Sequence, residues 1–274
     1  MKILLSATIF FGFALVNFAQ THNLRSQITA EQEQQANKEL ERLHSTDAKT
    51  RRDAVDKLRL MENAAAARVA ASALSDKSEI VRAVACEAVA YTTDEEAAGF
   101  LTPLLQPKEK SEYVRREAAF ALGEAFSKTA VPALIQVLQT DKKPSVRAAA
   151  AVSLGKIADE RAIESLSQTL LLPNTKKNRR VVDEFVRRSA ARALGEIRNK
   201  RAVPTLIKVL RDSTNADDVR REAAFALGVI ADQSAAEVLL ENINAKDYLL
   251  AEIAKNALQK IQESVISSHQ QRAN

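Results

Sequence analysis

The sequence predicts an all-α fold, an α-solenoid of about seven two-helix repeats, and three observations carry that prediction. The ten-residue string VRREAAFALG occurs twice, at 114–123 and at 219–228. Degenerate copies of the same frame recur along most of the chain at a near-constant period, the signature of a stacked repeat array. The composition is helical as well. Among 274 residues there are only six Gly, six Pro and no Trp, and aromatics make up 4%, while strong helix formers such as Ala, Leu, Arg, Lys and Glu predominate.

The N-terminus stands outside the repeat pattern. Lys2 precedes an uncharged apolar run, Ile3 to Val16, and a small residue, Ala19, comes before the polar THNLRSQ. A short basic start, an apolar run of this length and a small residue are the anatomy of an export signal, here assigned to residues 1–20. A run of fourteen residues is too short for a comfortable helical membrane span. Residues 21–44 contain the polar, Gln- and Glu-rich ITAEQEQQANKELERL, which reads as a helix capping the array.

The array itself is assigned to residues 45–262. Anchored on the first residue of the repeated frame, copies begin at Thr50, Val81, Val114, Val146, Val186, Val219 and Leu250, with spacings of 31, 33, 32, 40, 33 and 31 residues. In the two identical copies the residues 0, 4, 8 and 11 after the anchor are apolar: Val114, Ala118, Leu122 and Ala125, then Val219, Ala223, Leu227 and Ile230. These offsets fall on one stripe of a helix, so each string is an amphipathic second helix of its repeat. The first helix precedes it, at 130–139, 162–171, 202–211 and 235–244 in the later repeats, and Pro132 and Pro204 lie near helix starts, where a missing N–H costs least. Gly123, Gly155, Gly195 and Gly228 share the offset +9. A glycine there suits either a close approach of neighbouring helices or the end of the second helix. Beyond Ile266 the tail is expected to fray, and 263–274 is assigned to it.

The pattern P-x-L-I-x-x-L followed by D-x-x-x-x-V-R-x-x-A-A-x-A-L-G-x-I resembles the HEAT repeat, in the short form first described in phycobilisome (bilin) lyases. The resemblance implies a fold more than an activity, because repeats of this kind serve lyases, hydroxylases, scaffolds and adaptors. It also implies that an Asp near the end of the first helix bonds the Arg at offset +1, which here means Asp76 with Arg82, Asp141 with Arg147 and Asp212 with Arg220. HEAT-type deoxyhypusine hydroxylases hold iron with repeated His-Glu pairs, and no His-Glu dipeptide occurs in this chain.

Function is sought on the side of the second helices that turns away from the packing stripe. At 100° per residue, offsets +2 and +6 point there, onto what is the concave wall of a solenoid. They are occupied by Arg52 and Asp56, Ala83 and Glu87, Arg116 and Phe120, Ala148 and Val152, Arg188 and Arg192, and Arg221 and Phe225. Packing does not demand Arg or Phe at these offsets, whereas both are common at interface hot spots. Arg116, Phe120, Arg188, Arg192, Arg221 and Phe225 are therefore the candidate partner-binding residues. Their ligand would be a protein segment of acidic or mixed acidic-hydrophobic character. Equally open is that the arginines form a solvated face paired with Glu117 and Glu222. The 40-residue spacing reflects an insertion at 171–185 carrying Lys176, Lys177, Arg179 and Arg180, a basic loop that reads as a second contact or a longer connector.

Little in the sequence points to chemistry. His22, His44 and His269 lie outside or at the margin of the array, and no HExxH, GxSxG or phosphate-cradling glycine loop occurs. Cys86 is the single cysteine, so no internal disulfide can form, and VRAVACEAVA places it in a core. No metal or other cofactor is expected. After loss of residues 1–20 the charge is +4 (39 Lys and Arg against 35 Asp and Glu). That balance is too mild for a dedicated nucleic-acid binder. The sequence is best read as an exported, periplasmic or secreted, non-catalytic scaffold or adaptor. An enzyme or enzyme subunit of the bilin-lyase kind, or a HEAT-type hydroxylase, is the alternative.

Overall fold

A computed structural model describes residues 30–172 and 183–273. Among them are fourteen α-helices and no strand. The chain divides into two compact units, residues 1–103 and 104–274.

The first unit contains α1 (Ala30–Leu43), α2 (Ala48–Leu60), α3 (Ala64–Ala70), α4 (Glu79–Val89) and α5 (Asp94–Leu101). Helices α2 and α4 are the second helices anchored on Thr50 and Val81, and they lie side by side, with α1 packed on α2 and α3. Asp47, Asn63 and Thr93 cap their helices by accepting backbone N–H bonds, and Thr93 with Glu96 forms a reciprocal capping box. Cys86 is fully buried in α4.

The second unit is more regular. Second helices α6 (Glu112–Glu124), α8 (Pro144–Ile157), α10 (Glu184–Ile197), α12 (Asp217–Ile230) and α14 (Tyr248–Ala273) pack side by side in chain order. First helices α7 (Val131–Thr140), α9 (Ile163–Leu171), α11 (Val203–Arg211) and α13 (Ala236–Asn242) form the other layer, each against the second helix that follows it. Pro132 and Pro204 stand in the first turns of α7 and α11. Between the layers lies the predicted stripe, with Val114, Ala118, Leu122, Val219, Ala223 and Leu227 all completely buried.

The glycines at offset +9 resolve in favour of close packing. A Cβ on Gly123 would come within 2.9 Å of the Ser153 Cα, one on Gly155 within 2.7 Å of the Ala193 Cα, and one on Gly228 within 2.8 Å of the Ala257 Cα. Each partner stands at offset +7 of the next second helix, so a small residue on both sides sets the spacing of the layer. Helix ends are made without glycine. The left-handed residue at offset +12 is Glu62, Phe126, Ala158, Arg198 or Ala231, conformations that cost a Cβ-bearing residue about 1–2 kcal/mol.

The array ends by changing its outer residues. Where the four preceding second helices of this unit carry Ala at +5 and Gly at +9, α14 carries Lys255 and Gln259, both exposed and bonded to Glu252 and Glu263. This polar outer face acts as a terminal cap. The helix continues through Ala273, past Ile266, because the Gln- and Ser-rich segment contains no breaker. Residues 1–29, covering the assigned signal and the start of the capping segment, and residues 173–182 of the insertion lie outside the described residues.

Candidate functional site

The arginine at offset +1 proves to be structural, in an arrangement different from the one the resemblance implies. Asp76 and Asp141 do meet Arg82 and Arg147, but through their backbone carbonyls, which accept from the Nη1 atoms at 2.7 and 2.9 Å. Their carboxylates face the preceding repeat instead. Asp76 takes the Nε and Nη2 of Arg51 at 2.6 and 2.9 Å, and Asp141 those of Arg115 at 2.7 and 3.2 Å. One Asp thus ties two successive arginines, one by its side chain and one by its main chain. Asp212 leaves the pattern, as its carboxylate turns back on Thr214. Arg220 bonds the Leu210 carbonyl and the Asn242 side chain, and Arg187 bonds the Leu170 carbonyl and Asn215. Contact with Arg51 holds the Asp76 carboxyl below its usual range. Burial lowers the Arg147 and Arg187 pKa values, although an arginine stays charged throughout the accessible range.

The outward side of the second helices is only partly as expected. None of the residues named at offset +6 is buried, and Phe225 is 45% exposed. Offset +2 behaves differently: Ala83 and Ala148 are buried, whereas the arginines there reach solvent. The position therefore lies at the lip between adjacent helices, where a lone Cβ is covered and only a long side chain emerges.

In the second unit α10, α12 and α14 bring Arg188, Arg192 and Arg221 to one groove of about 370 Å³, together with Val152 of α8, Phe185 and Ile253. Arg192 grips Glu222 through its Nε and Nη2 at 2.8 and 3.3 Å. Arg221 grips Asp247 at 2.7 and 3.0 Å and reaches Asp218 at 2.8 Å. Arg188 stands 3.6 Å from Asp218 and lies over the Phe185 ring, 5.3 Å from its centroid. Phe225 lies in a neighbouring hollow that shares Ile253, under the Lys260 ammonium at 5.5 Å. Arg116 and Phe120, on α6, form a separate spot, where Arg116 pairs with Glu117 at 2.8 Å and stacks 4.9 Å from the Tyr113 centroid. Phe120 is half-buried.

Glu196 borders this region. Its carboxylate lies against Gly155 of α8, where the missing Cβ leaves room. Burial of that carboxylate raises its pKa, opposed by the Arg192 charge, even though the residue as a whole is open to solvent.

Phe185, Ile253, Asp218, Lys260 and Asp247 escaped sequence reasoning. They occupy offsets −1, +3 and +10 and the loop before the anchor, so comparing every offset across repeats, rather than two, would have found them. In the first unit, Arg52 pairs with Asp53 and Asp56 with Arg59. Lys176, Lys177, Arg179 and Arg180 lie outside the described residues. Among the described residues, no group of three or more His, Cys, Asp or Glu is placed to hold a metal ion. Nor is any helix among them long and apolar enough to cross a membrane.

No curated protein matches the sequence. Solved structures with similar folds include the CpcE–CpcF complex of phycocyanin lyase from Nostoc sp. PCC7120, at 27% identity over 85% of this chain and 87% of that one, with a TM-score of 0.49. Human deoxyhypusine hydroxylase in complex with glycerol matches at 20% identity over 85% and 97% of the two chains, with a TM-score of 0.42. A designed armadillo repeat protein matches at 20% identity over 82% and 98%, with a TM-score of 0.41. The HEAT-repeat family model matches residues 107–184 and 182–259, more than half of the chain. With its paired helices, buried stripe and near-constant period, the chain belongs to the HEAT-repeat family.

Proposed function

We propose that this chain is an exported, non-catalytic scaffold or adaptor that binds a protein partner through the outward face of its second helices. One observation carries the reading. Arg188, Arg192, Arg221, Phe185 and Phe225 stand at positions that the packing leaves free to vary, the first four around one open groove and Phe225 in the hollow beside it. Arg and aromatic side chains around a shallow apolar floor are the usual ingredients of an interface hot spot. Export rests on residues 1–20, and the basic loop 176–180 is a candidate second contact.

Capture from the native envelope fraction, after crosslinking, tests this reading. The bait is the chain from residue 21 onward. A specific partner is expected to be retained by the intact array and by Arg211→Glu, a change in the first-helix layer. It should be lost with Arg116→Glu plus Arg221→Glu, and with Phe225→Ser, which disturbs only an exposed ring. Circular dichroism confirms that each variant folds. Retention by all variants overturns the assignment of the face. The N-terminal residue of the protein recovered from its source, read by mass spectrometry, is expected near position 20. An intact Met1 on protein inside the cell would sink the export part.

A further inference from the structure

The formal charges around the groove and at the separate Arg116 spot nearly balance, yet they are not presented equally. In the Arg192–Glu222 pair the side chains are 57% and 11% exposed, in Arg116–Glu117 37% and 15%, and in Arg221–Asp247 28% and 13%. In each, the carboxylate lies beneath and the guanidinium outside, so an approaching molecule meets the cation. The bonding geometry points the same way. Arg192 spends its Nε–Nη2 edge on Glu222, and Arg116 donates from the same two nitrogens to Glu117. A guanidinium carries five N–H donors in a planar fork, so the edge formed by Nη1 and the second Nη2 proton remains to receive another planar anion in a two-point bond.

Asp218 is the exception, since its carboxylate is more exposed than Arg188, at 57% against 42%. It is bracketed by Arg188 and Arg221, and Glu263 lies beside Phe225 in the neighbouring hollow. Open carboxylates at these points oppose a continuous polyanion, such as a phosphate backbone or an anionic bilayer. They do not oppose isolated carboxylates spaced by apolar side chains. The exposed rings of Phe185 and Phe225, with Ile253 between the two hollows, supply matching apolar contacts.

Building on the proposed role of this face, we propose that its occupant is a segment of another protein in which Glu or Asp alternate with large apolar residues. Its carboxylates dock end-on against Arg192 and Arg116, and its apolar side chains lie on Phe225, Phe185 and Ile253. The internal carboxylates keep the guanidiniums in place before binding, so little side-chain freedom is lost when the ligand arrives.

The test uses the chain from residue 21 and three fluorescent twelve-residue peptides in which Phe and Leu alternate with Glu, with Gln or with Lys, read by anisotropy. The Glu peptide is expected to bind at least about ten-fold tighter than the Gln peptide, roughly the worth of one charge-assisted pair. The Lys peptide should bind weakest. Arg192→Lys keeps the charge but removes one fork, so it should lower the Glu-over-Gln preference, and Arg192→Lys with Arg116→Lys should erase most of it. Phe225→Ala should weaken the Glu and Gln peptides alike. Equal binding of the Glu and Gln peptides, no binding of any peptide at millimolar concentration, or an unchanged preference in Arg192→Lys overturns the proposal. So does tighter binding to phosphatidylglycerol vesicles or to a single-stranded oligonucleotide than to the Glu peptide. The capture experiment separates the two levels. If face substitutions abolish partner capture while the Glu preference is absent, the face stands and the acidic chemistry falls. If capture survives every substitution, both fall.

Discussion

The two copies of VRREAAFALG, in α6 and α12, share ten residues and differ in nearly everything their polar side chains do. Both bury Val, the alanines and Leu completely or almost so, and both bring the glycine against the next helix. The arginines then diverge. Arg115 bonds the charged Asp141, whereas Arg220, its equivalent, bonds the neutral Asn242. Arg221 reaches across to Asp247 of the next repeat, but Arg116 turns to its own neighbour Glu117. The cause is visible one repeat later. Three residues before the following anchor stands Asp247 in one case and Lys143 in the other, and Lys143 pairs with Glu112. A repeat's apolar residues are answered by a packing common to all repeats, while its polar residues are answered by whatever its neighbour offers.

The sharpest way to break this comparison is to remove the buried arginines. Arg115→Met leaves Asp141 largely buried without its partner, and breaking a buried pair in this way costs about 3–5 kcal/mol. Arg220→Met leaves amide and carbonyl acceptors unsatisfied, about 1–3 kcal/mol, and frees only an exposed carboxylate, Asp217, 3.9 Å away. Urea unfolding of both variants should show the larger loss at Arg115. Equal losses would mean that the charge of the partner is immaterial.

Gly123→Ala and Gly228→Ala probe what the copies share. Each new methyl meets a neighbouring helix backbone at under 3 Å, and overpacking of this kind costs about 1–3 kcal/mol. The two losses should agree closely. A tolerated alanine at either site would disprove the close-approach role of the glycine.

The smallest effect is expected from Lys143→Asp, which gives Arg116 the cross-repeat partner that Arg221 already has. A half-exposed pair is worth about 0.2–1 kcal/mol, so the main readout is geometric. A crystal structure of the variant should show Arg116 swung toward residue 143 and away from Glu117. An unmoved Arg116 would show that the Tyr113 stack, rather than Lys143, sets its direction.

Much of the architecture was legible in the sequence because apolar periodicity is local and recurs. Seven anchors, the stripe at 0, +4, +8 and +11 and the prolines at first-helix starts each report on a residue's own helix. The shared glycine was legible as a position but not as a role, since close approach and helix termination both favour glycine. The aspartates show the limit more plainly. The HEAT resemblance implies that Asp76 and Asp141 pair with the arginine of the same repeat, and only stacking reveals that their carboxylates face the repeat before. Of the residues around the groove and the hollow beside it, the sequence singled out Arg188, Arg192, Arg221 and Phe225 and passed over Phe185, Ile253 and Asp218, while Arg116 and Phe120 lie apart.

The sequence by itself determined the helices, their pairing into repeats and which stripe is buried, because each follows from local spacing and the removal of apolar surface from water. Only the tertiary structure decided which carboxylate holds which arginine, that Glu222 and Asp247 lie beneath their partners, and that three consecutive second helices share one groove. Those outcomes depend on side chains about thirty residues apart in sequence meeting within hydrogen-bond reach, and no pattern within a single repeat encodes that meeting.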